Sequence, residues 1–262
     1  LGPGPRAGVL PQAELLAMTC MLAEMLYYAT DHAETATLVA RVLQATDETP
    51  GTDRARLLAL GGSALAMSGN YADGMALSDR ALAMATVVGD HEVRAQVMTD
   101  RAGLLQNFGR IADAAPVAAE AFAVLAKTGK RWAALWAGAR HQFSHRFVGR
   151  PREAIAMGDD LLREATEIGH LGAKLTIVTT LSNVRWMHES HVDILTLYAT
   201  KTAAEFAELG TWSELTHLYS ALEHFERDDL TDPGAELEGS AERFGIEPWR
   251  DIFWADQFYM TA

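Results

Sequence analysis

An all-α fold, a solenoid of antiparallel helix pairs, is what this sequence predicts, and three observations predict it. Glycine stands at 69, 89, 109, 129, 149 and 169, each 20 residues after the last. Between these glycines, apolar residues recur at three- and four-residue intervals, the period of a helix with one buried face. Alanine fills 45 of the 262 positions; it has the best intrinsic helix propensity, and its small side chain lets helices approach. A glycine just past a helix takes the left-handed conformation at no side-chain cost, so each rung reads as a C-cap and turn. About 18 residues remain between rungs, roughly 27 Å of helix. Short turns lay consecutive helices side by side, so two periods make a pair of about 40 residues.

Residues 1–10, with Gly2, Pro3, Gly4 and Pro5, read as an unhelical linker, and 11–262 as a single helical-repeat domain; the start at Leu1 reads as a piece of a longer protein. The first pair spans 11–49, turning near Thr30 and closing at Pro50-Gly51. The second spans 50–89, and within 71–88 Met75, Leu77 and Leu82 mark an apolar face beside Asp73, Asp79 and Arg80. The third spans 90–129 and the fourth 130–169, where Pro151 suits a helix's first turn because its missing N–H is no loss there. The ladder then slips by one residue to Ser190 and Gly210, giving a fifth pair over 170–210, a sixth over 211–245 and a final helix from near Pro248.

The two helices of each pair differ. After Gly69 come Asn70, Tyr71, Ala72, Asp73 and Gly74, then Ala81 and Leu82. After Gly109 come Arg110, Ile111, Ala112, Asp113 and Ala114, then Ala121 and Phe122. After Gly149 come Arg150, Pro151, Arg152, Glu153 and Ala154, then Leu161 and Leu162. This pattern resembles the second-helix signature of tetratricopeptide repeats. In the first helices Gly62 and Ala102 take the family's small-residue place, and Gln142 and Asn183 fill it in later repeats. The resemblance implies a right-handed superhelical solenoid. With turns such as Val88-Gly89-Asp90 and Phe108-Gly109-Arg110, the 40-residue array is similar to the sensor region of large LuxR-type, maltose-regulator-type bacterial transcription activators and of multidomain nucleotidyl cyclases. That likeness implies a non-catalytic sensor module engaging a protein, a peptide or a small-molecule inducer. A stand-alone receptor similar to Rap-type peptide receptors of quorum sensing is the alternative.

The formal charge of −13 argues against this segment gripping nucleic acid, where affinity comes from cationic side chains displacing phosphate counterions. A single cysteine, Cys20, cannot form an internal disulfide and fits a reducing, cytoplasmic compartment. No apolar run of about 18 residues reads as a membrane span.

Candidate chemistry is sparse, and neither a catalytic residue, a cofactor nor a metal site is expected. His141 and His145 share a helical face but lack a third ligand, and the packed face of the helix suits them better. His188-Glu189-Ser190-His191 lacks the spacing of a zinc-protease helix. Gly129-Lys130 is not a phosphate loop, because Arg131 follows and no glycine stands five residues before it. Asp159-Asp160 and Asp228-Asp229 point about 100 degrees apart on a helix and read as solvated surface. No glycine-rich nucleophile elbow accompanies the serines and histidines. Met18, Met21 and Met25 form a stripe assigned to the core, with an adaptable binding surface as the other reading; Cys20, without a basic sequence neighbour, reads as buried and inert.

What remains is the groove. First helices line the concave face of such solenoids, where a peptide lies across several repeats. The family register carries Gln96, Thr99, Gln106 and Asn107 onto that face in one repeat, Trp136, Phe143 and Arg146 in the next, and Thr180 and His188 in the third. At the C-terminus Trp249, Phe253, Trp254 and Phe258, with Ile252 and Tyr259, crowd a helix with more apolar surface than an end cap should show. These residues read as the first helix of a further pair or as an interface, to a neighbouring domain or to a second copy of the chain; the alternative is that the helix folds back and buries its aromatics on the preceding pair.

Overall fold

The computed structural model describes residues 11–28 and 31–189, without the side chains of Tyr28 and of 186–189. The linker reading of 1–10, the second helix of the fifth pair, the sixth pair and the terminal helix with Trp249, Phe253, Trp254 and Phe258 lie outside the described residues. Among those described, nine α-helices and no strand are found. They are α1 (Gln12–Tyr28), α2 (His32–Ala45), α3 (Thr52–Met67), α4 (Tyr71–Val88), α5 (His91–Asn107), α6 (Ile111–Leu125), α7 (Arg131–Phe147), α8 (Pro151–Ile168) and α9 (Leu171–Glu189). Every rung of the glycine ladder has positive φ, from 72° at Gly109 to 98° at Gly69. At Gly89 and Gly169 the left-handed residue is the helix C-cap itself, its N–H bonded to the carbonyls of Ala85 and Ala165.

Two compact units divide inside α5, between Arg101 and Ala102. In the first, α3 and α4 pack at backbone distance. A Cβ on Gly62 would meet the Gly74 carbonyl at 2.7 Å, and one on Gly74 would meet the Gly62 carbonyl at 2.6 Å and the Ala66 Cβ at 2.7 Å. The buried line of α4 is therefore small, namely Gly74, Ser78, Ala81 and Ala85, and the bulky Met75, Leu77 and Leu82 flank it half-buried. Leu16, Cys20 and Ala23 of α1 pack with Val39, Val42, Leu57 and Leu60. Arg54 of α3 is 2% exposed. It donates to the Thr46 Oγ1 at 2.7 Å and the Leu43 carbonyl at 3.2 Å, closing the end of α2.

The α1 stripe corrects the sequence reading. Met18, Met21, Leu22 and Met25 are 58, 68, 47 and 69% exposed. Three-residue spacing fixes that they share a face, but which face is buried depends on where α2 and α3 lie, and those helices cover Leu16, Cys20 and Ala23 instead.

In the second unit α7 and α8 repeat the close pairing two 40-residue repeats on. Here the place of Gly62 is taken by Gln142, fully buried, whose Nε2 donates to the Ala154 carbonyl at 3.3 Å. Room for the amide comes from Gly158, where a Cβ would lie 2.2 Å from that nitrogen. The register runs unbroken into α9, which starts 40 residues after α7. Ser182, buried, therefore takes the small-residue place, and the assignment of Asn183 to it is corrected. Leu135, Ala139, Leu161, Ala165, Ile177 and Leu181 form the core of the unit.

Candidate functional site

Positions 132, 136 and 140 of α7 are four apart and so fall on one face of the helix. Trp132 is 55% exposed, unusual for the largest side chain. Its indole stacks on His170 with ring centroids 3.7 Å apart and planes 10° apart, and Trp136 lies nearly parallel to the same imidazole at 5.9 Å. The Arg140 guanidinium sits 5.0 Å from the centre of the Trp136 ring. A band thus runs along α7 from Trp132 through Trp136 to Arg140. Two glycines make room for it. A Cβ on Gly103 of α5 would lie 2.9 Å from the Arg140 guanidinium carbon, and one on Gly172 of α9 would touch the Trp136 ring at 3.5 Å.

His170 supports the band from behind. It follows the left-handed Gly169, is 2% exposed, and its Nδ1 accepts the Ala173 N–H at 3.3 Å, capping α9. Burial pushes its pKa down to about 4, so at neutral pH the ring is uncharged with its proton on Nε2, which is buried without a hydrogen-bond partner. A flat neutral ring clamped by its cap is a rigid platform for an exposed indole.

The residues carried over from the family register divide. Thr99, Gln106, Phe143 and Thr180 are 3, 3, 6 and 0% exposed, and their groove assignment is corrected to packing between helices. Gln106 donates through Nε2 to the Arg140 carbonyl at 2.6 Å and the Ser144 Oγ at 3.0 Å, tying α5 to α7. Thr99 and Thr180 return their hydroxyls to the carbonyls of Ala95 and Thr176. Trp136, Asn107 and Arg146 are half-buried, with Arg146 over the Phe147 ring at 4.5 Å. Gln96, in the first unit, pairs with Glu92. The His188 side chain lies outside the described residues. The family register does not reach Trp132, Arg140 or His170; the four-residue spacing of 132, 136 and 140 is the sequence signal that places the first two on one face.

His141 and His145 lie against each other with ring centroids 4.3 Å apart and planes tilted by 49°, and His141 also faces Phe122 at 5.9 Å. Burial, then its neighbour His145 and Arg150, lowers the His141 pKa to about 4. Among the described residues no three His, Cys, Asp or Glu side chains gather as metal ligands. Cys20 is 1% exposed, with its thiol on the Asp53 carbonyl at 3.2 Å, and burial pushes its pKa up to about 12; such a thiol is not a nucleophile. No described helix is long and apolar enough to cross a membrane.

No protein-family model matches this chain, and no curated protein matches it. Solved structures do. The nearly identical TPR-like repeats of a Podosopora anserina kinesin light chain match with a TM-score of 0.54, 15% identity, and coverage of 76% of this chain and 99% of that one. Aspartyl phosphate phosphatase F from Bacillus subtilis gives 0.63 at 13% identity, over 91% of this chain and 62% of that one. BtubC (BKLC) from P. vanneervenii gives 0.56 at 12% identity, over 90% and 92%. The fold is a tetratricopeptide-like helical repeat; likeness to the LuxR-type and cyclase sensor regions is not shown by these matches.

Proposed function

We propose that the chain is a non-catalytic binding module that engages a protein or peptide through the α7 band, within a bacterial signalling or transcription-regulatory protein. One observation carries the reading: Trp132 is more than half exposed yet held flat on a buried, capped histidine. An exposed indole loses apolar contact with nothing in return unless a partner covers it, and a preorganised one loses little side-chain entropy when that happens. Aromatic and arginine side chains carry most interface energy, and Trp136 and Arg140 extend the patch. The signalling context rests on the glycine-turn resemblance alone.

The test is selection of binders from a random twelve-residue peptide library on the purified chain. Enriched peptides are expected to lose at least tenfold in affinity on Trp132→Ala and on Trp136→Ala, with helical circular dichroism retained. Peptides whose affinity ignores both changes place the binding surface elsewhere, and a library from which nothing is enriched removes the peptide-binding reading.

A further inference from the structure

In α3 the face turned to the preceding helix pair is Leu57, Leu60, Gly61 and Ala64, all buried. Leu57 and Leu60 pack with Leu16, Cys20 and Ala23 of α1 and with Val39 and Val42 of α2, and a Cβ on Gly61 would lie 2.6 Å from the Val39 Cγ1. In the second unit the corresponding Ile177 and Leu181 of α9 pack in the same way with Leu135 of α7 and Leu161 of α8. Helix α1 carries this register 39 residues before α3: its buried Leu16, Thr19, Cys20 and Ala23 match the buried Ala55, Leu58, Ala59 and Gly62. The same offset brings Leu57, Leu60, Gly61 and Ala64 onto Met18, Met21, Leu22 and Met25, all exposed. The α1 stripe is therefore the face on which a repeat receives a neighbouring helix, and no described helix lies on it.

Residue type and charge say what covers it. At 57, 60, 61 and 64, and at the places 40, 80 and 120 residues beyond them, there is no methionine. Those side chains fit one fixed neighbour, as Gly61 fits Val39. Methionine is unbranched and flexible and moulds itself to different shapes, so three in one stripe suit a helix that docks and leaves. Between 11 and 40 stand Glu14, Glu24, Asp31 and Glu34, with no lysine or arginine. Glu24 is held by Arg56 of α3, whereas Glu14 is exposed one turn before Met18 on the same face. We propose that the α1 stripe docks a basic amphipathic helix of a partner protein. The apolar face of that helix covers Met18, Met21, Leu22 and Met25, and its lysines or arginines meet Glu14 and the negative potential of α1 and α2. A second copy of this chain, with its formal charge of −13, an anionic membrane surface and nucleic acid would each bring negative charge to a negative face. The stripe belongs to the first compact unit and the α7 band to the second, so the two sites stand or fall separately.

The experiment titrates the full chain into two dye-labelled synthetic peptides of about 18 residues, roughly five helical turns. One places leucine and lysine at helical spacing, and the other replaces every lysine by glutamate. The Leu/Lys peptide is expected to bind at least about tenfold more tightly than the Leu/Glu peptide and to weaken as salt rises from about 50 to about 300 mM. Changing Met18, Met21 and Met25 together to Gln is expected to cost at least about tenfold in its affinity, and Glu14→Gln several-fold, with helical circular dichroism and melting midpoint retained. Met21→Lys, a single exposed change that sets like charge against the docked helix, is expected to lose as much as the triple variant and keeps the test decisive should the triple variant unfold. Equal affinity for the two peptides overturns the basic partner. Leu/Lys binding indifferent to the methionine changes means general attraction to an acidic chain and overturns the stripe as the site. Self-association of the wild type that the triple variant abolishes would make a second copy the occupant and overturns the proposal as well.

Discussion

Gly109 and Arg54 show two kinds of single-residue control. At Gly109 φ is 72°, a conformation in which a β-branched side chain collides with its own backbone. Gly109→Val is therefore expected to cost about 1 kcal/mol or more, read as a lowered chemical-denaturation midpoint; an unchanged midpoint would show that the turn relaxes freely. Arg54 has no counterpart in the glycine pattern. Its guanidinium satisfies a carbonyl and a hydroxyl at the end of α2, so Arg54→Met strands both half-buried acceptors and is expected to cost about 1 kcal/mol. The buried histidines add a pH term. His170 and His141 titrate near 4 when folded, below the ordinary 6.5, so the unfolded chain binds their protons first. Their contribution to stability is complete above pH 6.5 and is lost as pH falls from 6.5 toward 4. Melting temperature is expected to fall across that window, less steeply in a His141→Gln, His170→Gln double variant; equal slopes would assign the acid sensitivity to other groups.

Whole helices meet through volumes that only pairs of residues define. Gly158→Ala puts a methyl 2.2 Å from the Gln142 amide and 2.6 Å from Leu181, an overpacking expected to cost about 1–3 kcal/mol. Since Ala102 and Ala118 occupy the same two places one repeat earlier, Gln142→Ala should restore most of that loss. A double-mutant cycle is expected to return a coupling above about 1 kcal/mol, and additive effects would mean that the clash is relieved through Leu181. Gly74→Ala has no such rescue, because its obstacle is the Gly62 backbone. The α1 stripe gives the opposite expectation. With Met18, Met21 and Met25 exposed, each change to Gln should shift stability by no more than about 0.5 kcal/mol, whereas a large loss in the triple variant would return the stripe to the core.

Across the whole chain the expectation that reaches furthest is self-association through Trp249, Phe253, Trp254 and Phe258, which lie outside the described residues. Sedimentation velocity on the full chain is expected to show concentration-dependent association, reduced by Trp249→Ser with Trp254→Ser. A monomer that those changes merely unfold would place the aromatics in a core.

The helices, their boundaries and the six left-handed glycines were legible in the sequence because each is a local property: 3.6-residue periodicity, capping chemistry and the absence of a Cβ act within a few residues. The small residues at 74 and 81, repeated as Ala114 and Ala121, were likewise readable as a 40-residue repeat. Tertiary structure alone decided which face of each helix is covered. Thr99, Gln106, Phe143 and Thr180 are spaced like groove residues, yet neighbouring helices bury them, while no described helix covers the methionines of α1. It also decided that His170, from a turn 34 residues beyond Trp136, would slide against two indoles and turn them into a platform. Periodicity says that a helix has two faces; the positions of the other helices determine which of them meets water.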